Sequence, residues 1–332
     1  MLIVHVCAEI SPFHRSFLWL FTMCNTFVIA CNRNVILCNK SVIFHTRLLT
    51  INAYNFARVN TSLKGKTMQE RHTDYARYFR ESEESCEKYY LPYLKEYTSL
   101  ILKYDTRVLE VGCGLGGNLA PFARKGCDVS GVDIDPQSID KAKDLFDKCG
   151  LNGTFTCCDI HDYKADCAFQ LIMLHDAIEH IKEKKCLMAR LRELLTEDGV
   201  LYIAFPAWCM PFGGHQQVAR TKFVSRCPFI HLLPKGLFVW LLRRFGEPKV
   251  VVQDFLNIRQ TRMSVQTFEE LCNDMGLEII HRRLYLINPH YEIKFGMKPR
   301  TLWRAISAIP YFRDFFSTSC HYLVRERKKN DS

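Results

Sequence analysis

The chain has 332 residues, 48% of them hydrophobic, with 45 Lys and Arg against 35 Asp and Glu for a formal net charge of +10. That length and apolar content support a substantial buried core and exclude collagen-like, disordered and disulfide-miniprotein classes. The 16 cysteines include no C-x-x-C pair, which removes the zinc knuckle and the thioredoxin-like motif and suits a reducing, cytoplasmic setting.

Residues 1–67 carry Arg15, Arg33, Lys40, Arg47, Arg58, Lys64 and Lys66 against Glu9 alone, with no clean helical or strand period. The longest apolar run, Phe17 to Cys31, is broken by Thr22, Asn25 and Thr26. It falls short of the roughly 20 residues that span a bilayer. Glu9 standing ahead of it argues against a signal peptide. The texture changes at Met68, so we read 1–67 as a non-native or disordered leader, Met68 as the natural start, and 68–332 as the catalytic domain. Charged helical sequence follows from Gln69 to Tyr104, and its Tyr75, Tyr78, Phe79, Tyr89 and Tyr90 are candidates for one wall of a substrate pocket.

From Arg107 onward, short apolar runs alternate with charged amphipathic stretches, the pattern of βαβ units over a parallel sheet. The spacing predicts strands at Arg107–Val111, Asp128–Val132, Thr154–Cys158, Phe169–Leu174 and Val200–Phe205, with helices near Asn118–Lys125, Gln137–Cys149 and Lys184–Leu194. Pro206, Pro211, Gly213, Gly214, Pro228 and Pro234 then break the rhythm, so residues 206–260 are read as an insertion forming a substrate lid. Strands are expected again at Leu277–Ile287 and Cys320–Arg325.

The first strand runs straight into Gly112-Cys113-Gly114-Leu115-Gly116-Gly117 and then a helix. Glycines let the backbone turn sharply and admit a ligand closer than a Cβ would, and a helix start offers free N–H groups to it. Gly112, Gly114 and Gly117 satisfy G-x-G-x-x-G, with Asp133 at the end of the next strand placed for ribose hydroxyls. The glycines alone admit a dinucleotide or an adenosyl ligand.

The flanking residues resemble the class I S-adenosylmethionine-dependent methyltransferases. Their first motif is matched by Glu110, Gly112, Gly114 and Gly116, their second by Gly131-Val132-Asp133-Ile134, and their third by Cys158-Asp159-Ile160. Phe169 to His180 is similar to the family's fourth strand and acid-histidine turn, and Leu194 to Leu201 to its turn into the fifth strand. The resemblance, over roughly 70–325, implies a Rossmann-like doubly wound sheet of seven strands whose last strand is antiparallel, with S-adenosylmethionine as cofactor. It assigns the glycines to the cofactor's methionine end, Asp133 to the ribose, and Asp159, Ile160 and Ile134 to the adenine. Glu110 orders the glycine loop and reaches the cofactor ammonium, and His175 faces the cofactor and acceptor.

Methyl transfer is an in-line displacement that needs alignment, and a base when the acceptor is a hydroxyl. No metal is expected. His215, in a loop read as flexible and polar, is the candidate base, with His175 the second catalytic candidate, while His180 is assigned to packing. Asn288-Pro289-His290-Tyr291 looks like the amine-methylating motif of nucleic-acid methyltransferases but falls after the wrong strand, so it is set aside. Residues 211–249 hold seven basic residues, Arg220 and Lys222 among them, against Glu247. They point to a small anionic acceptor (a sugar-nucleotide, a lipid-linked or a carboxylated molecule), and Leu237 to Arg244 to peripheral contact with the inner face of a membrane. Nucleic acid ranks below these, since no RNA-binding module accompanies the patch. The competing readings are a nicotinamide oxidoreductase and an inactive cofactor-binding module.

Overall fold

The computed structural model describes residues 74–327; the leader assigned to 1–67 and the start at Met68 lie outside the described residues. Asp74 accepts the Arg77 amide in its side chain and so starts helix α1, Tyr75–Ser85. Winding continues without a break through a π-helical turn, Cys86–Tyr90, into α2, Leu91–Tyr97. Pro92, which has no N–H to donate, stands just after that turn, and the Leu91 amide reaches back to the Cys86 carbonyl. The helical expectation for Gln69 to Tyr104 therefore holds over Tyr75–Tyr97.

Five parallel strands follow at the predicted places: β1 Arg107–Val111, β2 Asp128–Asp133, β3 Thr154–Cys157, β4 Phe169–His175 and β5 Leu195–Phe205, the last beginning five residues ahead of the predicted Val200 within the stretch read as a turn. Between them lie α3 Ala120–Arg124, α4 Pro136–Lys148 and α5 Lys184–Leu194. After the insertion come β6 Leu277–Ile287, β7 Arg300–Thr301 and β8 Ser319–Glu326. The sheet order is β3-β2-β1-β4-β5-β8-β6-β7, with β8 antiparallel to both β5 and β6. The count is eight among the described residues rather than seven, because the two-residue β7 pairs on the outer edge of β6. The last strand in sequence is antiparallel, as expected.

Strand residues alternate between two covered faces. Val108, Leu171, Met173, Tyr202 and Leu323 pack with Phe79, Tyr90 and Tyr93 of the N-terminal helix and with Phe122 and Phe146. On the opposite parity, Phe205 and Tyr322 meet Phe268 of α9, Val265–Asp274. Glu110 and His175 share the parity of Val108 and Met173, which puts both on the face closed by the N-terminal helix.

The insertion is helical, with α6 Lys222–Arg226, α7 Lys235–Arg244 and α8 Lys249–Thr261. Pro234 and Pro248 stand at the N-caps of α7 and α8, so they open helices rather than break them. Ala219, Val224, Ile230, Phe238, Leu242, Val252 and Phe255 form a separate small core there. Short helices α10 His290–Phe295 and α11 Arg304–Ser307 complete the chain.

Candidate functional site

A cavity of about 610 Å³ opens beyond the carboxyl ends of β1, β2 and β4, where ligands of doubly wound sheets bind. It is lined by Gly112, Asp133, Ile134, Asp159 and Ile160, which the sequence assigned to the cofactor, and by Asp176, His180 and Glu183, which it did not. At its floor the Gly112 and Cys113 amides both donate to the Val132 carbonyl, at 2.8 and 3.2 Å, folding the glycine loop over the end of β2.

Gly114 turns there at φ +51, and a Cβ added to it would meet nothing within 4 Å: the backbone presents an open cradle. Gly116 has a different use, since a Cβ would stand 2.8 Å from the Phe155 ring. It lets β3 pack beneath the loop and does not line the cavity. Asp133 ties the two sides together, accepting the Gly114 amide at 2.8 Å and the Asp135 amide at 2.9 Å. Asp135, not Asp133, caps α4 through the Gln137 and Ser138 amides. Asp159 accepts the His161 amide at 2.9 Å, while Ile134, 74% exposed, lines the mouth of the cavity.

Glu110 lies two residues before the first glycine and is only 1% exposed. One carboxylate oxygen accepts from the Asn118 amide nitrogen at 2.7 Å; the other, Oε2, is buried with no hydrogen-bond partner among the described residues. Burial pushes its pKa up to about 8, against the Asn118 hydrogen bond and with the help of the Asp133 charge. A buried carboxylate oxygen without a partner is costly unless a cation completes it.

Beyond β4, Asp176 adopts φ +52, and the following turn carries Glu179 and His180. Both oxygens of Glu179 are buried without a hydrogen bond to the described residues, His180 Nε2 standing 3.9 Å from one of them, and burial beside Asp176 drives its pKa well up. His180, expected to pack against a helix, instead lines the cavity. His215 stands with its ring 5.1 Å from that of His180. Its setting is not flexible and polar: it is wedged in a left-handed turn, and burial lowers its pKa to about 4. Glu179, His180 and His215 each bring one ligand atom within 4.8 Å of the others, a donor set fit for a divalent cation.

The remaining candidates separate. His175 points onto Tyr90, ring centroids 4.9 Å apart, with Nε2 buried and unpartnered, so it borders the site from behind rather than lining the cavity. Tyr78 lies within the electrostatic reach of both Asp176 and Glu110, and its hydroxyl is pushed up to about 12 mainly by burial. Tyr75 is held under the Lys141 ammonium at 3.4 Å. Arg220 and Lys222 are exposed on the insertion, where Glu247 accepts the Arg220 and Thr221 amides. Neither side chain lines the cavity.

Residues 108–199, which carry the glycine loop, both acids and the turn after β4, match the family described as methyltransferase domain. This stretch is a methyltransferase domain. It is of the class that uses S-adenosylmethionine. Over 174 residues the chain is 30% identical to a ubiquinone biosynthesis O-methyltransferase of Rhodopseudomonas palustris (strain BisB5), covering 50% of this chain and 64% of that protein. It is 27% identical over 187 residues to the enzyme of that name from Actinobacillus pleuropneumoniae serotype 7, covering 52% and 74%. The chain thus spans less than two thirds of the Rhodopseudomonas relative. A solved S-adenosylmethionine-dependent methyltransferase from Clostridium acetobutylicum is similar at 13% identity and a TM-score of 0.46, covering 74% of this chain and 92% of that one. The methyltransferase domain's residues fit such a cofactor: Glu110 Oε2 lacks the cation that an amino-acid ammonium would supply, and Gly114 leaves the space for its backbone-held end.

Proposed function

We propose that the chain is an S-adenosylmethionine-dependent O-methyltransferase acting on a small acceptor. The buried Glu110 oxygen without a hydrogen-bond partner and the open backbone at Gly114 carry this reading, the one asking for a cation and the other leaving room for a ligand. When bound, the cofactor supplies an activated methyl group. Glu110 would hold its ammonium, the Gly112–Gly114 backbone its carboxylate end, Asp133 its ribose, and Ile134, Asp159 and Ile160 its adenine. Oxygen is favoured over nitrogen as the acceptor atom because the relatives bear O-methyltransferase names. Calorimetry with S-adenosylhomocysteine and with NADH tests the cofactor: binding of NADH alone overturns the proposal in favour of an oxidoreductase.

The acceptor is read as anionic or lipid-linked from the insertion. Trp240 is 60% exposed, Leu237 44% and Val250 72%, on helices that also carry Arg243, Arg244 and Lys249. Apolar side chains beside basic ones suit the surface of an anionic bilayer. No helix among the described residues is long and apolar enough to cross a membrane. A second element of the reading is a divalent cation at Glu179, His180 and His215, favoured by the two unpartnered Glu179 oxygens. Elemental analysis of the purified protein before and after chelation tests it.

A further inference from the structure

The stretch from Ile293 to Arg313 contains no acid, and its basic residues are Lys294, Lys298, Arg300, Arg304 and Arg313. Two are engaged elsewhere: Arg313 is buried against Glu269, and Lys294 lies 5.5 Å from the centre of the Tyr78 ring. Lys298, Arg300 and Arg304 are exposed and form no ion pair among the described residues. Arg300 belongs to β7, the outer strand of the sheet, where charge alone has an ordinary use: it keeps a foreign strand from pairing with the open edge. The apolar residues beside these cations have no such use. Trp303 is 56% exposed, Ile309 48% and Tyr311 66%. Single large side chains left in water need no explanation, but three held together by one turn of α11 and the turn after it, beside three unpaired cations, form a patch.

Tyr311 is held under strain. Its φ is +61 and its ψ −41, and the Phe312 amide donates across it to the Pro310 carbonyl at 2.7 Å, so Tyr311 is the centre of a γ-turn of the rare, strained hand. Strain of this kind collects where it serves a function, and here it holds an aromatic ring in water at the tip of a turn. The patch also abuts the insertion. Phe315 closes the helical turn Phe312–Phe315 that follows Tyr311, and its ring centre lies 6.4 Å from that of Phe229. Phe229 begins the turn Ile230–Leu232, which leads through Pro234 into α7, the helix that carries the exposed Trp240, Arg243 and Arg244.

We infer that Lys298, Arg300, Trp303, Arg304, Ile309 and Tyr311 form a docking surface for an anionic lipid bilayer, a second footing beside the one read on α7 and α8. Trp and Tyr rings settle at the level of the headgroups, and the three cations meet the negative charge of the lipid surface. A second copy of this chain fits worse: mating the patch with itself across a two-fold axis sets like charges together, with no acid in the stretch to meet them. The inference deepens the lipid-surface reading of the insertion and shares its partner, but it stands on different residues. Two footings act together, since once one is seated the other meets the bilayer at high effective concentration. The pair then fixes which way the protein faces on the surface.

Co-sedimentation of the full chain with vesicles of equal parts phosphatidylcholine and phosphatidylserine, and with vesicles of phosphatidylcholine alone, tests this. The wild type should favour the anionic vesicles. Arg300→Glu with Arg304→Glu, and separately Trp303→Ser with Tyr311→Ser, should each lower that binding at least about tenfold. Calorimetric affinity for S-adenosylhomocysteine should stay that of the wild type in both. Raised salt should erase the difference made by the charges and spare the one made by the rings. Brominated acyl chains should quench the tryptophan fluorescence of Trp240→Phe protein, and adding Trp303→Phe should reduce that quenching. If the charge pair and the ring pair both sediment as the wild type does, the inference is overturned, even where Arg243→Glu with Arg244→Glu lowers binding and so upholds the reading of the insertion. Loss in the two new pairs with none in the Arg243 and Arg244 pair upholds the inference and overturns that reading instead. A wild type that ignores anionic vesicles but is retained on RNA, or is dimeric by light scattering until Trp303 and Tyr311 are replaced, would also overturn the inference.

Discussion

Replacing Glu110 by Gln should change how stability depends on pH in a calculable way. A carboxyl whose folded pKa stands above its unfolded value binds its proton more tightly in the folded state, so its contribution is complete below the unfolded pKa and is lost as pH rises through the folded one. For Glu110 that window runs from the ordinary 4.5 to about 8. Each pH unit within it removes about 1.4 kcal/mol, on the order of 5 kcal/mol in all, from the ligand-free protein. Gln keeps the Asn118 hydrogen bond and carries no charge, so the variant should gain on the wild type along that slope. Urea unfolding of both proteins at intervals from pH 4.5 to 8.5 measures the difference, and subtracting one curve from the other cancels every other titrating group. The cofactor should reverse the ranking: its ammonium favours the ionised carboxylate, so binding to the wild type near pH 7 should release a proton. Calorimetry in buffers of different ionisation enthalpy counts that proton, and Glu110→Gln should release none. A stability difference that stays flat from pH 4.5 to 8.5 would refute the reasoning.

Two glycine variants should part company: Gly116→Ala, driven into Phe155, should lose roughly 1–3 kcal/mol of stability in urea titrations, whereas Gly114→Ala should lose about 1–2 kcal/mol for its backbone and, by filling the cradle, weaken S-adenosylhomocysteine binding at least about tenfold. His215→Ala, which removes one of the three proposed cation donors, should abolish cation binding and spare affinity for S-adenosylhomocysteine, each read by calorimetry. Because burial holds the His215 pKa near 4, its neutral form adds stability above the unfolded value of 6.5 that fades as pH falls toward 4, and His215→Gln should flatten that acid limb in urea titrations. Adding a divalent cation at about 100 times its dissociation constant should stabilise the chelated protein by about 2.7 kcal/mol in thermal scans, and Glu179→Gln should remove the gain. Reversing both Arg243 and Arg244 to Glu should lower co-sedimentation with anionic vesicles by at least about tenfold, at about 1 kcal/mol for each basic residue near the surface.

The parallel half of the sheet was legible because a strand buried on both faces is a continuous apolar run, as in Phe169 to Leu174, and because the glycine loop names the end of β1. Part of the cavity lining was legible for the same reason: Asp133 and Asp159 are read from their place after a strand, and both line the cavity. The residues around the turn after β4 were not. His175 was placed correctly at the end of β4, but its parity sends it toward Tyr90, which shows only once the pairing of β4 is known. Glu179 sits in sequence between Ile178 and His180 with nothing to mark it as buried and unpartnered. His215 was read as flexible because it stands in the loop after the fifth strand, yet a Cβ at Gly214 would stand 2.3 Å from that of His231, the sign of a tightly packed turn. Pro234 reads as a breaker where it starts a helix.

The π-helical turn at Cys86–Tyr90 sets the angular phase between the two ends of the N-terminal helix. Each residue of a helix advances the side-chain direction by about 100°, so the turn's wider winding resets the azimuth midway along. Ahead of it, Ser85 meets α10; beyond it, Tyr93 and Tyr97 meet His281 on β6. The helix thereby serves two surfaces that a regular winding could not face with these residues. Deleting one residue within the turn would restore regular winding and swing one end against the other, so a change that removes no named contact residue would misalign a whole wall of the site.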